Sequence, residues 1–158
     1  MNQRDAADPI DLATLPGHQI RRLQQIAVGL FMDEASAFDL TPVQFAALAG
    51  VANQPGIDQR TLARSIGFDT STLGGVIDRL ERRGLIGRHT APEDRRVRRL
   101  VVTDAGTALL GQVMPAVRQV QHRILDPLSP SQQRRFMDLL NRLVAANNDA
   151  SRAPSHRD

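Results

Sequence analysis

Arginine is the one residue type set densely enough in this chain to do chemistry. Residues 78–99 hold eight, Arg79, Arg82, Arg83, Arg88, Arg95, Arg96, Arg98 and Arg99, against four carboxylates, Asp78, Glu81, Glu93 and Asp94. That segment carries +4 and the rest of the chain −1, so the formal charge of +3 is gathered in one stretch. Asymmetry of this kind marks a face that binds a polyanion. All twenty basic residues are arginine. Guanidinium suits phosphate forks and narrow minor grooves, although genomic base composition explains the choice equally well. Catalytic chemistry has little to stand on. The four histidines, His18, His89, His122 and His156, are scattered without metal-ligand spacing, so no metal and no cofactor are expected. Gly74 and Gly75 lie inside a helical pattern and lack a P-loop lysine. Asp33 and Glu34 are adjacent, hence on different helix faces, and make a poor acid-base pair.

The elements that position the arginines are legible around them. Upstream, Leu73, Val76, Ile77 and Leu80 recur at the spacing of a buried helical stripe, which turns Ser71, Gly75, Asp78 and Arg82 outward. Side chains no larger than Thr70, Ser71, Gly74 and Gly75 let the start of that helix approach base edges in a major groove. Gly84 stops the helix. Strand-like arms at 85–90 and 98–102 follow, joined by the tip APEDRRV with Pro92 at the turn. A capped helix leading into a basic hairpin is the order of a winged helix-turn-helix; the competing reading is a solvated helix in a helical domain.

The flanks are mainly helical. A first helix after Pro16 and Gly17, running to about Ala37, places Ile20, Leu23, Ala27, Leu30 and Phe31 on one face. Thr41, Pro42, Val43 and Gln44 form a capping box with proline at the first helical position, opening a helix to about Gln54. Asp58 caps a short helix with Leu62, Ala63 and Ile66 inward, and Gly67 turns into the next. Thr103 begins a long helix through Leu109, Leu110, Val113, Val117, Val120, Ile124 and Leu125, with a kink expected at Pro115. Ser129 to Gln132 repeats the capping box and launches a last helix through Phe136, Leu139, Leu140, Leu143 and Val144. The terminal helices have more apolar surface than a small winged domain can cover, which points to a homodimer with interlocking helices; an intramolecular bundle is the alternative. The expected organisation is a loose tail over 1–15, the first helix of a dimerisation region over 16–39, a winged helix-turn-helix over 40–103, dimerisation helices over 104–149 and a second tail over 150–158.

A chain of 158 residues is one domain's worth. Its five aromatic residues are all phenylalanine, so the core must be mainly aliphatic. No apolar run approaches the roughly 18–20 residues of a membrane span, and no secretory signal is visible; the protein is expected in the cytoplasm. Without cysteine there is no thiol to sense oxidants.

Residues 78–86 (DRLERRGLI), 93–96 (EDRR) and 101–106 (VVTDAG) resemble the MarR (multiple antibiotic resistance regulator) family of bacterial transcription factors, and 40–48 (LTPVQFAAL) is similar to that family's second helix. The likeness runs from about residue 17 to 147. It implies a homodimeric, ligand-responsive repressor bound to a pseudo-palindromic DNA operator. The family's recognition-helix positions fall on Thr70, Ser71, Thr72, Gly74 and Gly75, with Arg79 further along the helix, and its wing on Asp94, Arg95 and Arg96. Gly74 and Gly75 replace the threonine or arginine often found there, which shifts base readout toward Thr70 and Ser71. Val102 stands where leucine is usual. The absence of cysteine removes the family's peroxide-sensing branch.

In that family small ligands, often aromatic acids or phenols, lodge between the terminal helices and the winged domain. His18, Arg21, Arg22 and Gln25 form a polar strip on the first helix, where a guanidinium and an imidazole could hold a carboxylate or ring hydroxyl; a solvated face is the competing reading. The stretch HQIRRLQQIA is similar to regulators of aromatic-acid breakdown, including those for nicotinate-type compounds. A winged-helix protein-interaction or assembly module without ligand response is the rival function.

Overall fold

Most helices of this chain start where a side chain takes up their first free N–H groups. The Thr41 hydroxyl accepts from the Gln44 N–H at 3.3 Å while the Gln44 side chain accepts from the Thr41 N–H at 3.0 Å. Ser129 and Gln132 make the same reciprocal pair at 3.4 and 2.9 Å. Asp58, Asp69 and Thr103 accept from the third helical N–H at 3.0, 2.7 and 3.1 Å. Removing a cap of this kind costs about 1 kcal/mol.

The computed structural model describes residues 10–90 and 98–150. The order is α1 (Pro16–Glu34), α2 (Pro42–Asn53), β1 (Ile57–Asp58), α3 (Gln59–Ser65), α4 (Thr70–Arg82), β2 (Ile86–Thr90), β3 (Arg98–Val102), α5 (Asp104–Leu125) and α6 (Pro130–Ala146). Short 3-10 turns lie at Leu12–Thr14, Ser36–Phe38 and Asn148–Ala150. Chain reversals fall at glycines with positive φ, Gly67 (72°) between α3 and α4 and Gly84 (68°) after α4, where only a residue without Cβ is unstrained. The antiparallel sheet has the order β1-β3-β2. Ile86 pairs with Val102, Arg88 with Leu100 and Thr90 with Arg98, and β1 adds Ile57 opposite Leu100.

Leu48 and Val51 of α2, Leu62 of α3, Leu73, Ile77 and Leu80 of α4, Leu100 of β3 and Val113 and Val120 of α5 are fully buried in one cluster. Each contributes about 1.5–3 kcal/mol by burial. The cluster holds α4 against α2 and α3, and the Phe31 and Phe45 rings, centroids 5.9 Å apart, join α1 to α2. Gly106 is the other fixed point. A Cβ there would strike the Leu85 carbonyl and lie 2.7 Å from Val102 Cγ1, so only glycine lets the start of α5 seat on the wing strands.

Several expectations change in the structure. The first helix ends at Glu34 rather than near Ala37; a 3-10 turn follows, and Asp39 takes a left-handed conformation (φ 49°) that swings the chain into the α2 cap. β1 was not anticipated, two residues being too short for any periodicity. Residues 11–14 are a capped turn rather than loose tail, with the Ala13 N–H donating to Asp11 at 2.9 Å and the Gln19 amide to the Ala13 carbonyl at 2.8 Å. Asp33 and Glu34, expected on separate faces, converge on Arg123 of α5, whose Nη1 donates to both at 2.7 Å; long side chains at the end of α1 reach one guanidinium where the helices cross. Pro115 lies inside α5, as the sequence predicts, and the carbonyl crowded by its ring belongs to Gly111, which has no side chain to add to the crowding. None of the described residues of α6 is buried, although its apolar stripe is as expected.

Candidate nucleic-acid interface

The N-terminal half of α4 is open to solvent because its buried stripe faces the other way. Thr70, Ser71, Thr72, Gly75 and Arg79 are exposed and Gly74 is half-buried. Gly74 has a local role: a Cβ there would lie 3.3 Å from Gln59 Nε2, and that amide crosses from α3 to donate to the Thr70 carbonyl at 3.1 Å. Around Gly75 there is open space, so nothing inside the protein requires glycine.

Asp69 organises the helix start. It accepts from the Ser71 hydroxyl at 2.6 Å, the Thr72 hydroxyl at 2.6 Å and the Thr72 N–H at 2.7 Å. The Ser71 hydroxyl first, then the Thr72 hydroxyl and N–H, hold its carboxyl far below the usual carboxylate range. The ionised form of Asp69 is the one these hydrogen bonds favour. The cap was legible in the sequence; the capture of two neighbouring hydroxyls was not.

Arginines beyond the end of α4 tie the elements around it together. Arg88 of β2 reaches back to Glu81 at 2.6 Å and Asp78 at 2.5 Å, fixing the hairpin to the helix. Arg83 donates through Nη1 to the Asp39 carbonyl and through Nη2 to the Phe38 carbonyl at 3.2 Å, clamping the end of α4 to the segment between α1 and α2. Arg99 donates to the Gly56 carbonyl at 3.2 Å. A cleft of about 450 Å³ between α4 and the hairpin is lined by Gln59, Glu81, Arg88, Arg98 and Leu100. The wing residues Asp94, Arg95 and Arg96, and Pro92 at the turn, lie outside the described residues.

The proposed effector strip stands apart from this face. His18 is half-buried, and Arg21, Arg22 and Gln25 are exposed along α1. Neither the cleft beside α4 nor a second one of about 340 Å³ between α2 and α3 includes a residue of α1. Among the described residues no group of His, Asp and Glu is placed to hold a metal ion, and no helix is long and apolar enough to cross a membrane.

Comparison with known proteins gives this geometry a context. Residues 40–97 match the model of the MarR family. The chain is 33% identical over 129 residues to the transcriptional regulator HosA of Escherichia coli O111:H-, covering 82% of this chain and 94% of that one. The crystal structure of the PcaV transcriptional regulator from Streptomyces coelicolor, in complex with its natural ligand, superposes with a TM-score of 0.79 at 35% identity over 87% of this chain and 97% of that one. BpsR of Bordetella bronchiseptica, whose DNA binding is regulated by 6-hydroxynicotinic acid, superposes with a TM-score of 0.81 at 27% identity, covering 85% and 96% of the two chains. The winged helix-turn-helix with its exposed recognition helix, and the identity extending along nearly the full length of these relatives, make the chain a member of the MarR family of DNA-binding transcription regulators and not an enzyme.

Proposed function

We infer that the protein is a homodimeric repressor that sits on a pseudo-palindromic operator and leaves it when a small aromatic acid or phenol binds. The observation that carries the DNA reading is the exposed start of α4, small and hydroxyl-bearing, beside a hairpin whose arms and tip are rich in arginine. Thr70, Ser71, Thr72, Gly74, Gly75 and Arg79 are the proposed major-groove set, and Asp94, Arg95 and Arg96 the proposed minor-groove and phosphate set. A DNA target implies a cytoplasmic protein.

Dimerisation is supported by apolar surface that one chain leaves open. Ile20, Leu23 and Ile26 of α1 and Met137, Leu139, Leu143 and Val144 of α6 are all at least 38% exposed. Soluble monomers rarely leave so many large apolar side chains uncovered on two helices. Two copies joined through these helices would present two recognition helices on one face of the duplex, about one helical turn apart.

Ligand release is supported by BpsR and PcaV, relatives known with a regulating or natural ligand, and by the two clamps that link α1 to the reading head. Arg123 fixes the end of α1 to α5, and Arg83 fixes the segment just beyond it to the end of α4. A ligand that prefers one position of α1 would bias the position of α4. His18, Arg21, Arg22 and Gln25 are the proposed contacts to its carboxylate or hydroxyl.

Selection of bound duplexes from a random DNA pool, repeated with a panel of aromatic acids that includes 6-hydroxynicotinic acid, tests the whole reading. A recovered palindrome that disappears with one compound supports it. Failure to recover any sequence above background refutes the operator-binding function, and a palindrome indifferent to every compound leaves the DNA reading and removes the aromatic-acid input. Alanine at His18 or Arg21 should abolish release with little change in the affinity of the free protein; release like that of the parent in both variants excludes the strip as the pocket.

A further inference from the structure

A carboxylate at the reading end of a DNA-binding helix repels phosphate and needs a reason to be there. Capping does not require the charge, since serine or asparagine caps a helix as well without one, although the positive end of the helix dipole favours an anion there. Asp69 does more than cap. Its Oδ1 accepts from the Ser71 hydroxyl and the Thr72 N–H, and its Oδ2 accepts from the Thr72 hydroxyl. Both hydroxyl protons are thus committed to an ionised acceptor in short, charge-assisted hydrogen bonds.

A hydroxyl has one proton and two lone pairs. With the proton held by Asp69, the Ser71 and Thr72 oxygens have only lone pairs to offer outward. In the major groove adenine N6 and cytosine N4 donate, while guanine O6 and N7 and thymine O4 accept. An acceptor-only oxygen pairs with the first group; with the second it meets another lone pair, unless its bond to the carboxylate is broken. We propose that Asp69 sets the polarity of base readout, making the Ser71 and Thr72 oxygens obligate acceptors, so that each selects an amino base, adenine or cytosine, over guanine or thymine on the strand it touches. The proposal rests on the operator-binding function inferred above and adds to it the kind of base each half-site must hold.

Thr70 provides an internal contrast. Its carbonyl accepts from Gln59, but its hydroxyl has no intramolecular partner among the described residues and is free to donate or accept. Base preference at a Thr70 contact should therefore not follow the amino rule.

The test uses the full-length protein and the duplex recovered by selection, with each half-site position changed to all four bases. In the parent, the positions that lose discrimination on Ser71→Ala and on Thr72→Val should prefer adenine or cytosine by about 5- to 100-fold over guanine or thymine. Asp69→Asn isolates polarity from capping. Asparagine caps as well as aspartate and keeps one oxygen for the Thr72 N–H and Ser71, but its amide donates to the Thr72 hydroxyl and releases that proton. Preference at the Thr72 position should then fall to within about threefold, while affinity for all DNA rises because a negative charge has left the interface.

The readout is the ratio between bases, so a uniform gain in affinity does not obscure it. A guanine or thymine preference at the Ser71 or Thr72 positions of the parent overturns the proposal, as does an undiminished preference at the Thr72 position in Asp69→Asn. Should Asp69→Asn fail to fold, the parent ranking at the positions mapped by Ser71→Ala and Thr72→Val still decides it. If no duplex is recovered, the operator-binding function itself has failed and this proposal falls with it; a recovered palindrome with keto bases at those positions defeats the polarity proposal alone.

Discussion

Replacing Arg88 by methionine removes the guanidinium that ties the hairpin to the recognition helix while keeping most of the aliphatic stem. The Arg88 side chain is 23% exposed, and its partners Glu81 and Asp78 are 38% and 57% exposed. A fully exposed ion pair is worth about 0.2–1 kcal/mol, whereas hydrogen bonds to charged groups reach about 1.5–3 kcal/mol. Arg88 lies between these limits. It is mostly covered, but both acids are wet, so about 1–2 kcal/mol for the two hydrogen-bonded ion pairs together is the expected destabilisation. Asp78 and Glu81 are also one turn apart on α4, and without Arg88 their mutual repulsion is uncovered. In a chain of this length that corresponds to a fall in Tm of roughly 2–8 °C.

The assay is a double-mutant cycle by urea unfolding, pairing Arg88→Met with Glu81→Gln and separately with Asp78→Asn. Coupling to Glu81 should be about 0.5–1 kcal/mol and exceed coupling to the more exposed Asp78. Raising salt from about 0.1 to 1 M shortens the screening length from roughly 10 to 3 Å, so the Asp78 coupling should shrink first. Couplings to both acids within about 0.3 kcal/mol of zero, the usual error of additivity, would refute the tether. Stronger coupling to Asp78 than to Glu81 would refute the use of exposure to rank the two ion pairs.

Replacing Arg95 and Arg96 together by alanine should weaken DNA binding across all sequences and flatten its dependence on log salt by about 0.9 for each phosphate that the arginines no longer neutralise; unchanged affinity and slope would remove the wing from the interface. Gly106→Ala forces a methyl group onto the Leu85 carbonyl and should cost about 1–3 kcal/mol, seen as a lower urea midpoint, whereas Gly75→Ala, with open space around it, should raise stability by up to about 1 kcal/mol. A Gly106→Ala variant as stable as the parent contradicts the close seating of α5. Sedimentation should give a dimer, and footprinting half-site centres about 10 base pairs apart; a folded monomer that binds one half-site tightly would contradict the interlocked helices.

What was legible in the sequence is what local chemistry determines. The two capping boxes, at Thr41 and Ser129, were readable because each is complete within four residues, and both form as expected. The hairpin arms and Gly84 were readable for the same reason. Contacts made by side chains distant in sequence were hidden. Nothing near Asp33 or Glu34 announces Arg123, and nothing near Arg83 announces the Phe38 and Asp39 carbonyls, because such pairs exist only after α1, α4 and α5 have packed. The polarity of Ser71 and Thr72 was hidden differently: the residues were visible, but the direction of a hydroxyl proton depends on side-chain geometry. The α6 stripe was read correctly as apolar, yet a single chain offers it no partner surface.

The arginine cluster is less uniform than its charge suggests. Arg88 is occupied by Asp78 and Glu81, Arg83 by two backbone carbonyls and Arg99 by the Gly56 carbonyl. These three position the reading head. The acids divide correspondingly. Asp78 and Glu81 share the single positive charge of Arg88, and Asp69, the cap of α4, is surrounded by the hydroxyls and N–H it accepts from, so each of these carboxylates is engaged within the protein. Left bare, each would repel phosphates within the roughly 8–10 Å over which charge acts in physiological salt. Arg88 thus offsets part of the acidic charge of the segment, and Arg79, Arg82 and Arg98 remain exposed on the described elements. In the proposed interface, phosphate affinity comes from that smaller set together with the tip, and selectivity from a helix start whose carboxylate, Asp69, accepts from its own hydroxyls.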